Sequence, residues 1–295
     1  MSNTIAGAYL AQISQMSLPH LTALFAPVQA FTTDFSDDIS GTGESVTTRY
    51  AANPVAADLS SGFTPSDVSM TSKTISLNNY FGFVAAFTDV ERSKSLIDLP
   101  RLFIEPMLQA IGTKFFATVW DLVTEANFAT YYTSTAANFD RSDLIDISAT
   151  LTGTLKAPKM DRAFLCDTSF YGALLKTLNS AEFPGVIAEK TEGFVPRVSG
   201  LDIYQSSEID GNSEYLGGFA AHKSALLFAG RRVNADGAAQ AGVEVADVVV
   251  PGLNLPVQFR RWYSPNDGQL RISCGLLWGV SKGTGMGVRV VTQHA

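Results

Sequence analysis

The stretch DLPRLFIEPMLQAIGTKFFATVWDLVTEANF, residues 98–128, has the clearest periodic pattern in the chain. Its large apolar residues recur every three or four positions, which places them on one stripe of a helix. These residues are Ile104, Leu108, Ile111, Phe115, Val119, Leu122 and Val123. Pro106 falls inside the pattern, so the helix either begins there or is kinked there. From Pro106 to Asn127 it would be roughly 30 Å long, at about 1.5 Å per residue, which is long for an ordinary domain helix.

Two segments before this helix are predicted to be extended. Residues 1–40 hold too many large apolar residues for a solvated tail, so we expect an arm that lies on its own chain or on a neighbour. Residues 41–78 contain two β-prone runs around a tip rich in Ala, Asn, Pro, Ser and Gly, which predicts a long β-hairpin. Its Ser and Thr residues fall on both faces, and such a ribbon is not stable alone. Because the nearby sequence offers no support, we expect a second subunit to provide it.

After the helix, strand and helix patterns alternate over residues 142–250, including the buried strand DRAFLCD and the helix SFYGALLKTL that follows it. The segments LPVQFRRWYS and QLRISCGLLWGV flank Pro265-Asn266-Asp267-Gly268, which predicts a long β-hairpin. A last strand, GVRVVTQ, comes near the end. The predicted fold class is therefore α+β.

Composition excludes several classes of protein. The chain has 295 residues, of which 46% are hydrophobic, which is enough for a real core and argues against disorder. The 21 Lys and Arg against 28 Asp and Glu argue against a dedicated nucleic-acid binder. Two cysteines exclude a disulfide scaffold, and a reducing compartment is the default. We expect neither a signal peptide nor a membrane span.

The sequence contains no recognisable catalytic, metal-binding or nucleotide-binding motif. The three histidines lack metal-ligand spacing, which predicts no metal site. The glycine-rich residues 283–287 precede a strand rather than a helix, so a tight β-turn is favoured over a nucleotide loop. Cys166 follows a strand as a nucleophile would, with His222 as the only histidine in that region, although buried cysteines are usually inert. We therefore expect no catalytic residue and no cofactor, and a structural protein rather than an enzyme.

The order of the parts resembles the major capsid proteins of tailed bacteriophages, whose HK97 fold is shared with encapsulin shells. The quoted segments carry this resemblance over nearly the whole chain. It implies an N-terminal arm (residues 1–40) and an E-loop (41–78), which is an extended β-hairpin. It also implies a peripheral (P) domain (79–142 and 251–295) with a long spine helix (98–128), and an axial (A) domain (143–250).

The resemblance also implies a function. A major capsid protein assembles through pentamers and hexamers into an icosahedral head that encloses double-stranded DNA. Its partners would be further copies of itself, a separate scaffolding protein, a portal and a decoration protein, with loose, non-specific contact to DNA and none to membranes. The expected location is the virion, after assembly in the host cytoplasm. The alternatives are an encapsulin-like shell with protein cargo, another virion structural protein, and a hydrolase or transferase that uses Cys166.

Several aromatic and basic residues are candidates for assembly contacts. They are Phe25, Phe31, Phe35, Arg49, Tyr50, Phe63, Lys73, Arg260 and Arg261. The last two form a basic cluster with Arg271, which could pair with a neighbour's acids, touch phosphate, or be salt-bridged within its own strand face. Lys73 lies on the hairpin, where some family members carry a crosslinking lysine, but nothing identifies its partners and no crosslink is predicted.

Overall fold

A computed structural model gives the fold. It describes residues 16–19, 21, 25, 27–34, 44–51, 60, 62, 70–95, 102–177, 195, 197–209, 212–238, 240–250, 253 and 255–293. Helices and sheets are mixed along these residues, which confirms the predicted class.

The larger sheet has six strands and is built around one long strand. Its strands are β1 (Thr32–Asp34), β4 (Asn79–Thr88), β9 (Leu226–Arg231), β10 (Glu244–Val250), β11 (Leu255–Ser264) and β12 (Gln269–Lys282). The first part of β12 pairs with β11 on one side and β4 on the other, and its last residues pair with β9. The β11–β12 hairpin turns at residues 265–268, so this prediction is confirmed.

The second sheet has five strands, and its three central strands are buried on both faces. Its order is β5 (Tyr131–Thr133), β13 (Gly287–Val291), β8 (Leu216–His222), β6 (Arg162–Cys166) and β7 (Asp202–Gln205). A separate two-stranded ribbon pairs β2 (Ser45–Ala51) with β3 (Met70–Ser76).

Helical residues also occur in the N-terminal arm, at residues 16–19 and 27–31, so the prediction that residues 1–40 are extended is wrong for these residues. A single 3-10 turn, Lys223–Ala225, joins β8 to β9. Four longer helices follow residue 88. They are α1 (Asp89–Lys94), α2 (Ile104–Trp120), α3 (Arg141–Gly153) and α4 (Thr168–Thr177). The strand and helix predicted at residues 161–178 are confirmed as β6 and α4. The N-terminus of α3 has a capping box, in which Asp140 accepts the backbone N–H groups of Ser142 and Asp143.

The predicted helix 98–128 is too long at its C-terminal end. Helix α2 stops at Trp120 and spans about 25 Å, with Pro106 in its first turn, where a missing N–H costs little. The apolar spacing continues through Val123, which is buried but no longer helical. The Asn212 side chain donates to the carbonyl oxygens of Trp120 (2.8 Å) and Val123 (2.9 Å), and so provides partners that a continued helix would have supplied.

Two apolar cores explain why the central strands of the five-stranded sheet are buried on both faces. The larger core joins α2 to the inner face of the six-stranded sheet and to one face of the second sheet, through Leu165 and Phe219. The smaller core lies on the opposite face, where α3 and α4 cover Phe164 and Cys166. Alternate residues of β6 therefore enter different cores, as expected for a strand with period two.

Candidate functional site

The geometry around Cys166 does not support a nucleophile. Its thiol is fully buried and donates to the Tyr204 carbonyl oxygen at 3.6 Å. Burial, with a smaller contribution from Asp167, raises the pKa of this thiol well above its usual range. His222 pairs with Arg162 at the opposite end of β6, about 13 Å away at 3.3 Å per residue. A thiolate needs a nearby base or positive field, and His222 is too distant to act as the base.

The described residues offer neither a metal site nor a membrane-spanning helix. No group of three or more His, Cys, Asp or Glu side chains among them is placed to hold a metal ion. Within the same part of the chain, no helix is both long enough and apolar enough to cross a bilayer.

The glycine-rich residues 283–287 connect the two sheets. They run from the end of β12 into β13 and lie beside the turn between β8 and β9. Thr284 N donates to the Ser224 carbonyl oxygen (2.9 Å), and Gly283 N donates to that of Ala225 (2.9 Å). A Cβ on Gly283 would overlap the Ser224 oxygen, so this close backbone approach requires glycine. This stretch therefore has a structural use that does not involve a nucleotide.

His222 lies at this same junction. Its Nδ1 accepts the Ser224 backbone N–H at 3.2 Å and lies 2.8 Å from the Ser224 hydroxyl, which is itself 2.9 Å from the Thr284 hydroxyl. Burial lowers the pKa of His222, while Asp161 opposes the shift and Arg162 adds to it. The neutral ring is therefore favoured, and it acts as the cap of the turn.

A buried arginine joins the second sheet to the end of α2. Arg289 is 1% exposed; its Nε donates to the Phe128 carbonyl oxygen and its Nη1 to the Glu214 carboxylate, both at 2.7 Å. The same carboxylate accepts the Glu125 backbone N–H at 2.8 Å. The Arg289–Glu214 ion pair thus connects β13, the segment after α2 and the segment before β8.

The two-stranded ribbon is present as predicted. Strands β2 and β3 pair from Ser45–Ser76 to Ala51–Met70, and each is about 23 Å long at 3.3 Å per residue. Most of its tip, residues 52–69, lies outside the described residues.

The support of the ribbon differs from what we expected. Its base packs on its own chain, because Val46 and Ile75 are buried against Leu227 and Ala229 of β9. A Cβ on Gly279 of β12 would overlap the carbonyl oxygen of Ser76, the last residue of β3. Glycine at this position therefore allows β3 to approach β12. The expectation that the chain offers the ribbon no support is therefore wrong for its base. Among the ribbon side chains that the structure describes, each strand has one such buried residue, and its contacts lie about 150 or more positions away in the sequence.

The aromatic candidates of the N-terminal arm lie inside the chain. Phe25 contacts Phe115 with ring centroids 5.0 Å apart, and Phe31 contacts Trp120 at 5.7 Å. Both side chains are at most 1% exposed in the single chain. Their position gives them a packing role in their own core and leaves no surface for a neighbour. Phe35 lies outside the described residues.

The candidates on the ribbon are only partly described. Arg49 is exposed and Lys73 is half-buried, and they lie on opposite faces because Arg49 pairs with Ser72. Tyr50 belongs to β2, but its side chain lies outside what the structure describes, as does the whole of Phe63. An assembly role for these four residues stays a prediction.

The basic candidates of β11 do not form one cluster. Arg260 and Arg261 alternate between the two faces of the sheet. Arg260 Nε donates to the Gln258 side chain at 2.8 Å, and Arg261 pairs with Glu244 at 3.1 Å. Arg271 pairs with Asp267 within the hairpin turn at 2.5 Å. Each of these arginines therefore has a polar partner within its own chain, and an assembly role for Arg260 and Arg261 stays a prediction.

Sequence reasoning missed an exposed apolar surface on β4. Within five positions, Tyr80, Phe81, Phe83 and Val84 are 41–55% exposed. On the outer face of the sheet, Tyr80 and Val84 border a groove of about 420 Å³ that Trp262 also lines. The signal was available in the sequence, because NYFGFVAAFT contains no charged residue.

Comparisons with known proteins give a consistent result for the fold. No protein-family model matches the sequence, and no curated protein matches it. A solved structure from Mycobacterium phage Che8 is similar over 92% of both chains, with a TM-score of 0.64 and 14% identity. The capsid structure of the cyanophage P-SCSP1u has a TM-score of 0.61 and 13% identity, and covers 90% of this chain and 87% of its own. The capsid of Cyanophage Pam1 has a TM-score of 0.58 and 13% identity over 92% of both chains. The chain therefore has the fold of solved bacteriophage capsid chains.

Proposed function

We propose that this chain is the major subunit of a bacteriophage capsid, which assembles through pentamers and hexamers into an icosahedral head around double-stranded DNA. The observation that carries the proposal is the likeness to phage capsid structures over about nine tenths of the chain. The buried side chains that the structure describes in the ribbon, Val46 and Ile75, lie at its base, and strand β4 is uncharged with exposed aromatic side chains. Both features agree with a protein that works among copies of itself.

The proposal assigns a part of an HK97-like fold to each region. Residues 1–40 would be the N-terminal arm, and residues 41–78, with the β2–β3 ribbon, the E-loop. Helix α2 would be the spine helix of a peripheral domain formed by residues 79–142 and 251–295. Residues 143–250 would be the axial domain.

Physical arguments support a shell with many modest contacts. Copies joined at several surfaces gain stability by avidity even where each contact is weak. A net charge of −7 suits a shell that holds DNA loosely and without sequence preference. In this proposal the protein has no catalytic role, assembles in the host cytoplasm with a separate scaffolding protein, and meets a portal and a decoration protein in the virion.

Sedimentation velocity tests the proposal. The chain, expressed alone and with a candidate scaffolding protein, should sediment as particles far larger than its 31.6 kDa. A variant that lacks residues 53–67 should stay unassembled yet melt close to the wild-type temperature, since this segment lies beyond the paired strands. Assembly of the deletion variant into normal particles would contradict the role given to the ribbon.

A further inference from the structure

Two long outer strands of the six-stranded sheet differ in their chemistry. Strand β10 carries Glu244 and Asp247, which pair with arginines at 3.1 Å and 2.6 Å. Strand β4 has ten residues with no charge and no proline, and its pairing with β12 runs without a bulge. Natural sheets protect free edges with charges, prolines or bulges. Strand β4 uses none of these devices.

With respect to the described strands, the outer edge of β4 presents backbone groups without strand partners. In an antiparallel pair, alternate residues direct their N–H and C=O groups away from the paired strand. Among the described strands, β4 pairs only with β12. Its first half keeps exposed area on both faces, with Tyr80 and Val84 on one side and Phe81 and Phe83 on the other. The second face is partly covered, because Lys114 of α2 lies 5.0 Å from the centre of the Phe81 ring.

The exposed apolar area of β4 is a substantial part of a protein interface. A buried aromatic side chain covers 150–250 Å², so the exposed parts of Tyr80, Phe81, Phe83 and Val84 amount to roughly 350 Å². One side of a standard protein interface covers about 800 Å². The patch alone therefore supplies a little under half of one partner's share, and pairing along the backbone edge would add to it.

We propose that β4 is an assembly surface on which an extended segment of a second copy of this chain lies as an added strand. This inference rests on the proposed function, because a shell brings copies of one chain into contact. An edge without charge favours an occupant that offers backbone groups and apolar side chains. The groove beside Tyr80, Val84 and Trp262 has room for one such side chain. Two different surfaces meet in this contact, and contacts of that kind can close into rings.

A pair of lysine variants tests the surface. Val84→Lys places a charge on β4 at a residue that is 55% exposed, and Ile145→Lys does the same at a 46% exposed residue of α3. Wild-type chain and Ile145→Lys should sediment as particles, while Val84→Lys should remain a chain of 31.6 kDa with a wild-type circular dichroism spectrum. Particles formed by Val84→Lys to the wild-type extent would overturn the surface and leave the proposed function standing.

Hydrogen exchange of the wild-type protein provides a test without substitutions. The amide hydrogens of residues 79–87 that point away from β12 should exchange more slowly in particles than in dissociated chain, by a factor of about ten or more. Equal exchange in the two states would overturn the surface. If Ile145→Lys also fails to assemble, the lysine variants no longer distinguish β4 from α3, and the exchange result decides whether β4 is an assembly surface. A wild-type chain that stays monomeric under every condition would overturn the proposed function and this surface together.

Discussion

Removing the Glu214 carboxylate should destabilise the chain more than removing the Arg289 cation that it binds. The Arg289 side chain is 1% exposed, whereas the Glu214 side chain is 28% exposed. After Glu214→Ala, the guanidinium stays buried with the Phe128 carbonyl oxygen and the Glu125 carboxylate, which is 3.8 Å away. After Arg289→Met, the remaining carboxylate still reaches water. The two halves of this ion pair therefore differ in how much each depends on the other.

The magnitudes follow from burial. Breaking a buried ion pair by removing one partner costs about 3–5 kcal/mol. Glu214 is partly exposed and Glu125 compensates in part, so we expect about 3 kcal/mol, the lower end of that range, for Glu214→Ala. Arg289→Met leaves the Phe128 carbonyl without its donor, a loss of about 1–3 kcal/mol that the added apolar packing partly offsets. We expect about 1.5 kcal/mol for this variant.

Urea unfolding at pH 7, followed by circular dichroism on dissociated chain, measures both changes. Glu214→Gln is the control: it keeps an acceptor for Arg289 and for the Glu125 N–H but removes the charge, and should fall between the other two variants. An Arg289→Met variant that loses as much stability as Glu214→Ala, or more, would refute the reasoning, because burial of the cation would then not decide the cost.

The other predictions concern local features. Asp140→Ala should cost about 1 kcal/mol in a urea titration, since it removes the cap of α3, and an unchanged midpoint would contradict this role. Gly279→Ala should lower the free energy of unfolding by about 1–3 kcal/mol, because its Cβ would press on the backbone of β3. An unchanged free energy of unfolding would mean that the base of the ribbon can move away from β12 without cost. Burial lowers the pKa of His222, so the unfolded chain takes up its proton first and stability falls as the pH drops below about 6.5. His222→Asn keeps an acceptor oxygen and should flatten stability measured from pH 7 to pH 5, by up to about 1.4 kcal/mol per pH unit; an unaltered slope would assign it to other groups. Burial raises the pKa of the Cys166 and Cys274 thiols, so a thiol reagent should modify them only as fast as the chain opens, and rapid modification of folded chain would contradict this burial.

Local signals explain the parts of the fold that could be predicted. The turn residues 265–268 and the alternation around them specify the β11–β12 hairpin within about thirty residues. The unit formed by β6 and α4 is equally local. The ribbon was predictable because its two β-prone runs flank a tip of small and turn-forming residues.

Long-range pairing explains what could not be predicted. Strand β4 pairs with β12, about 190 positions further along the chain, and no residue pattern in either strand identifies the other as its partner. An apolar arm near the N-terminus has the same pattern whether it packs on its own core or on a neighbour, so Phe25 and Phe31 could not be placed from sequence. The end of α2 depends on Asn212, which lies more than ninety positions beyond Trp120.

The most direct test of the central claim is negative-stain electron microscopy of the purified chain, expressed alone and together with a candidate scaffolding protein. A capsid subunit should form closed shells of uniform size in at least one of these conditions. Single particles of about 31.6 kDa in every condition would contradict the capsid assignment.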